Sequence, residues 1–289
     1  ATGRVREVLA VEGRIEAPNW APSGDWLLVN GDGRLYRVPL ARPELLVLDT
    51  SAAIRCNNDH GLSPDGAMVI LSSHHEGGGS QVYVMPVAGG ALRKVTPEAP
   101  SWWHGVSPDG KRLAYVAARG GRQVIDVYTI GLDGGEEIRL TAGEGHCDGT
   151  DYSADGARIY YNCDRTGHAQ IWVMAADGSG QHQLFADDFV NWFPHPSPDG
   201  RHLVYLAYPP GTLGHPADLP VSLVLCDLEG GNRRRMRDFT GSSPTSSSSS
   251  CSNTDSMPLS RYSASRSSAS GAAAAGIGAL VTGRSAGVA

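Results

Sequence analysis

Short runs of alternating apolar and polar residues recur along the chain, each soon broken by Gly, Asn, Asp or Arg. The clearest unit reads Leu113-Ala114-Tyr115-Val116 as a strand, Ala118-Arg119-Gly120-Gly121 as a break and Val124-Ile125-Asp126-Val127-Tyr128 as the next strand. Asp133-Gly134-Gly135 then turns into Ile138-Arg139-Leu140. The same order returns as Ile159-Tyr160-Tyr161, Arg165-Thr166-Gly167, Ile171-Trp172-Val173-Met174 and Asp177-Gly178-Ser179-Gly180. An earlier unit has Met68-Val69-Ile70-Leu71, Val82-Tyr83-Val84-Met85 and Gly89-Gly90. The pattern predicts an all-β chain.

One short motif precedes each unit: Ser63-Pro64-Asp65-Gly66, Ser107-Pro108-Asp109-Gly110, Ser153-Ala154-Asp155-Gly156 and Ser197-Pro198-Asp199-Gly200, with a worn copy at Ala21-Pro22-Ser23-Gly24. Its third position steps through 23, 65, 109, 155 and 199, intervals of 42, 44, 46 and 44 residues. That period predicts a β-propeller with one repeat per four-stranded blade, in five recognisable repeats at about 13–53, 54–98, 99–142, 143–186 and 187–240. Within the motif Pro fixes φ, Ser and Asp bond nearby backbone groups, and Gly releases the chain into the next strand. Asp65, Asp109, Asp155 and Asp199 are therefore turn residues and not an acid cluster.

At these residues the chain resembles the TolB-type, WD-like propeller repeats, marked by a Ser-Pro-Asp-Gly turn, an alternating strand and an aromatic-aliphatic third strand. The likeness covers roughly residues 13 to 240 of the propeller domain at 1–240. It implies a sixth blade, protein partners and a periplasmic setting. Fold does not dictate function here, because propellers host binding proteins and enzymes alike.

The ends differ from the repeats. Val5 to Ala10 look like an outer blade strand, so residues 1–12 are expected to close the last blade, against inner strands that are not visible near the C-terminus. Residues 241–289 are Ser/Ala/Gly-rich, with 16 Ser among 49 residues, and no turn marker survives. Such a segment is expected to stay disordered, since it cannot bury enough apolar area to offset its ordering entropy. A shifted reading frame, a degenerate blade and a natural extension all fit it.

Gly makes up 37 of 289 residues, as a loop-rich β protein requires, and 40% hydrophobic residues suffice for a sizeable core. A net charge of −6 gives no electrostatic reason to expect nucleic acid or an anionic membrane. Ala272 to Val281 is too short to span a bilayer. No signal peptide is recognisable in the sequence, so the compartment stays open. Cys56, Cys147, Cys163, Cys226 and Cys251 are odd in number and lack a Cys-x-x-Cys pair; Cys163 and Cys226 read as buried thiols. There is no nucleophile elbow, phosphate-binding loop or His-Glu-x-x-His helix.

Candidate chemistry lies just before each turn motif, where the first strand of a blade borders the channel. There stand Asn58-Asp59-His60-Gly61, Trp103-His104-Gly105, Asp148-Gly149-Thr150-Asp151 and Asn191-Trp192-Phe193-Pro194-His195. Three readings remain open. The imidazoles of His60, His104 and His195 could hold a divalent metal (Mn, Zn or Ca), with Asp151 as ligand or base. They could instead line a water-filled channel, or form a mouth for a peptide or glycan. A weaker resemblance, to the oligogalacturonate lyases, implies the first: a metal-dependent carbohydrate lyase or hydrolase in which Arg165 pairs a substrate carboxylate. The favoured reading is a binding or scaffold module for a protein or oligosaccharide, using Asn58, Asp59, Trp103, Asp148, Asn191, Trp192 and His215.

Register complicates this set, because His60 and His104 stand five residues before the marker and Asp151 and His195 four. One residue reverses side-chain direction in a regular strand. Pro194 and Pro196 offer a local irregularity that would re-aim His195. Loops between second and third strands should open on the same face, bringing His74-His75-Glu76, Arg119, Arg122, Asp164, Arg165, His168 and the long loop Tyr208 to Asp218. Trp102, Trp103 and Trp192 suit wedges between blades, or stacking surfaces.

Overall fold

Apolar side chains on both faces of a sheet must be covered from two sides, and here consecutive sheets of a ring cover one another. The structure is a computed structural model describing residues 6–51, 55–74, 78–216, 219–240 and 279–284. After β1 (Arg6–Glu12), the first blade holds β2 (Glu16–Trp20), β3 (Trp26–Gly31), β4 (Arg34–Pro39) and β5 (Leu46–Val47). The second holds β6 (Cys56–Leu62), β7 (Met68–Ser73), β8 (Gln81–Pro86) and β9 (Arg93–Lys94). The third contains β10 (Ser101–Val106), β11 (Arg112–Ala117), β12 (Asp126–Gly131) and β13 (Gly134–Arg139); the fourth, β14 (Cys147–Tyr152), β15 (Arg158–Cys163), β16 (Gln170–Ala175) and β17 (His182–Gln183). The fifth contains β18 (Val190–Pro196), β19 (His202–Tyr208), β20 (Pro220–Asp227) and β21 (Arg234–Thr240). Each is a four-stranded antiparallel sheet in chain order, the propeller that the repeat predicts. Among the described residues there is no helix, hence none long and apolar enough to cross a membrane.

The core lies between blades. Leu28 and Leu35 meet Val69, Leu71 and Tyr83, Ile70 and Val84 meet Leu113 and Tyr115, and Val116 and Val127 meet Ile159 and Tyr161. Tyr160 and Val173 then meet Leu203 and Tyr205. Period-two alternation sends successive residues of one strand into opposite interfaces, which is why these middle strands are buried along nearly their whole length.

The turn motif behaves as its chemistry dictates. Ser63 Oγ donates to Asp65 Oδ1 at 2.5 Å, Ala67 N donates to the same oxygen at 3.0 Å, and Met68 N donates to Ser63 Oγ at 2.9 Å. Gly66, at φ 71°, takes a conformation that side chains disfavour. The same bonds recur at Ser107–Asp109, Ser153–Asp155 and Ser197–Asp199.

The ends are arranged apart from the blades. β1 does not extend a blade: it pairs in parallel with β22 (Ala279–Arg284), from Arg6↔Ala279 to Glu12↔Arg284, in a separate two-stranded sheet. Of the Ser/Ala/Gly-rich stretch, the described residues are this one strand, Ala279–Arg284. Residues 241–278 and 285–289 lie outside the described residues, as do His75, Glu76 and Asp218. Among the described residues there is no sixth four-stranded sheet.

Candidate functional site at the ring axis

All five first strands carry a bulge against the second strand of their blade. The register shifts fall between Glu16 and Asn19, Cys56 and His60, Trp103 and Gly105, Asp148 and Asp151, and Trp192 and His195. Three bulges use left-handed backbone, at Ala17 (φ 50°), Gly149 (φ 61°) and Phe193 (φ 53°). A bulge leaves a residue unpaired and re-aims its neighbours. This irregularity resolves the register conflict, since His104 and His195 can both serve the axis although their spacings to the turn differ.

The strands enclose an axial cavity of about 220 Å³, lined by Asn19 of the first blade, Asn58, Asp59 and His60 of the second, Trp103 and His104 of the third, Asp151 of the fourth and His195 of the fifth. Two His–Asp pairs bridge neighbouring blades. His104 Nε2 lies 2.7 Å from Asp148 Oδ1, and His195 Nδ1 lies 3.0 Å from Asp151 Oδ2. Asp151 Oδ1 also accepts from Tyr152 N at 2.9 Å, leaving that carboxylate held at both oxygens. Burial alone would raise the Asp148 carboxyl. His104, with His146 and His215 behind it, more than offsets this and holds it well below the usual carboxylate range.

His215 arrives from the long loop between β19 and β20, with its ring centroid 4.7 Å from Trp192 and 4.9 Å from Phe193. The loop thus folds back over the start of β18, towards the His104–Asp148 pair. His146, not singled out by the sequence reading, belongs to the same group, 6.5 Å from Trp192. It stands two residues before Asp148, where extending the same reading back from the turn marker would have found it. Asn19 was missed likewise: it sits four residues before the worn marker at Ser23, as Asp151 does before Asp155.

The remaining candidates differ in what they present to the axis. The ring of His60 is buried, with Nδ1 3.3 Å from Asn57 O, and burial pushes its pKa down to about 4. Trp103 packs over Gly61, where an added Cβ would come within 2.4 Å of the indole, so it is a wedge between blades. Trp192 is likewise buried. Asn58 Oδ1 accepts from Asn30 Nδ2 at 3.0 Å, and Asp59 forms part of the cavity wall. Asn191 is fully buried, donating to Asp187 Oδ1 at 2.9 Å.

Arg165 is engaged within the fourth blade. It donates to Glu144 at 2.7 Å and to the Tyr161 hydroxyl at 3.0 Å, with its guanidinium 4.3 Å from the Trp172 ring centroid. It does not line the axial cavity. Of the three imidazoles His60, His104 and His195, the first is buried, and the other two each pair with a different carboxylate. Among the described residues, no group of three or more His, Cys, Asp or Glu is placed to hold a metal ion.

Two of the imidazoles, His104 and His195, are oriented by carboxylates, and among the described residues the cavity wall carries Asp59 and Asp151 and no Lys or Arg. Comparison with known proteins places this frame. The TolB β-propeller domain, PD40, matches residues 96–247. Uncharacterized protein Atu1656 of Agrobacterium fabrum is 45% identical over 248 residues, covering 86% of this chain and 84% of that protein. A solved structure from Agrobacterium tumefaciens, named provisionally as a TolB, gives a TM-score of 0.77 at 47% identity, covering 79% of this chain and 82% of that one. An oligogalacturonate lyase solved with manganese shares the fold alone, with a TM-score of 0.57 at 15% identity, over 78% of this chain and 66% of that one. Repeat, blade geometry and sequence kinship agree: the chain belongs to the TolB β-propeller family.

Proposed function

We propose that the protein is a binding module that takes a cationic segment of a protein partner into its axial cavity. The observation that carries this reading is the charge of the wall: among the described residues, Asp59 and Asp151 line the cavity and no Lys or Arg does. A Lys or Arg side chain, or an amino terminus, finds carboxylate acceptors there. An acidic oligosaccharide finds like charge, and Arg165, the group that would have paired its carboxylate, is held within the fourth blade. Membership of the TolB family supports a protein as the partner.

Fluorescence anisotropy with labelled peptide pools of fixed charge tests this. Pools bearing Lys or Arg should bind the wild type and weaken roughly tenfold, about 1.4 kcal/mol, in an Asp59→Asn/Asp151→Asn variant. Preference for acidic pools, or cleavage of oligogalacturonate by the wild type with manganese added, would overturn it.

A further inference from the structure

The geometry points to Cys147 and Cys163 as a dithiol that closes to a disulfide across the first two strands of the fourth blade. The two residues are direct partners in the β14–β15 register. Next to them Asp164 N donates to His146 O at 3.2 Å, whereas Cys147 N donates away from this pair, to Ile125 O at 3.0 Å. Hydrogen-bonded and non-hydrogen-bonded pairs alternate along an antiparallel ladder. Cys147 and Cys163 therefore form the non-bonded kind, with Cα atoms about 4.5 Å apart and side chains at their closest. That spacing falls within the roughly 4.4–6.8 Å that a disulfide requires.

Both thiols are free and buried, and each is the other's hydrogen-bond partner. Arg165 Nη2 lies 4.0 Å from Cys147 Sγ. The hydrogen bond from Cys147 first, then Arg165, hold the Cys163 thiol below its ordinary value despite burial, which makes Cys163 the readier thiolate. With hydrogen peroxide as oxidant, the Cys163 thiolate attacks one oxygen, the O–O bond breaks, and the departing hydroxide takes up the thiol proton as water. Cys147 then attacks the resulting sulfenic sulfur, and its own proton leaves with the displaced hydroxyl as a second water. Two thiols and one peroxide become one disulfide and two waters. The staple would tie down the segment that carries His146 and Asp148, independently of what the cavity binds.

Peptide mapping of the peroxide-treated full chain, alkylated in denaturant and digested with trypsin, tests the pairing. Arg158 separates the two cysteines, so the disulfide would join peptides 140–158 and 159–165. Free thiols should fall from five to three, and the joined peptides should disappear on reduction and in both Cys147→Ser and Cys163→Ala. Recovery of the two peptides separately, with both sulfurs alkylated or carried on to sulfinic acid, would overturn the inference. The wild-type map alone decides it, even where a variant folds poorly.

Discussion

His60 and His195 occupy nearly the same place in two blades, shortly before the turn motif, yet they do opposite things. His60 is 2% exposed, pressed between the first and second blades, with Nδ1 beside the Asn57 carbonyl. His195 hydrogen-bonds Asp151 across the fourth and fifth blades at the wall of the cavity. The difference lies in the bulges. In the second blade Asn57, Asn58 and Asp59 stand opposite Ser72 alone, whereas in the fifth Phe193 and Pro194 stand opposite Tyr205. One more inserted residue turns an imidazole from a group at the axis into part of the packing between blades.

The largest test of that contrast is pH. His60 titrates at about 4 when folded against an ordinary 6.5, because burial disfavours its charged form. The unfolded chain therefore binds more protons between those values, and stability falls as pH drops from 6.5 to 4, by roughly 3 kcal/mol. Urea unfolding across this range should show that slope in the wild type and lose it in His60→Gln.

Next is Gly61→Ala, whose new Cβ would strike the Trp103 ring at 2.4 Å. Overpacking of this kind costs about 1–3 kcal/mol, visible as a lower urea midpoint with unchanged m. His104→Ala strips the buried Asp148 carboxylate of its nearest partner and should cost about 1–3 kcal/mol. It also raises the folded-state value of that carboxyl. Stability from Asp148 is present above the ordinary carboxylate range and lost as pH falls through the depressed folded value, so acid unfolding should move to higher pH in this variant. The smallest effect is expected for Asp151→Asn, about 1 kcal/mol at most, because Asn can still accept from His195. Its measurable consequence is weaker binding of cationic peptides.

Much of the fold was legible because its signal is local. Ser63, Asp65 and Gly66 make their turn with bonds among themselves and the next two residues, so the motif marks a corner wherever it occurs. The outer strands left no such mark: β5, β9 and β17 have two residues each and lack any alternation to detect. At the axis, the sequence singled out a stretch in four of the five first strands and named both halves of the His104–Asp148 and His195–Asp151 pairs, but not their pairing. The surroundings of Arg165 were not legible, because its partners, Glu144, Tyr161 and Trp172, meet it only once the fourth blade has formed.

The spacing of the turn motifs, the alternation between them and the glycines at left-handed corners determined a ring of four-stranded blades from the sequence alone, because each acts through bonds within a few residues. Which imidazole faces the axis was decided only by tertiary structure. Side-chain direction reverses with every inserted residue, and the residue that bulges is selected by what packs around it, as Phe193 is held between Trp192 and His215.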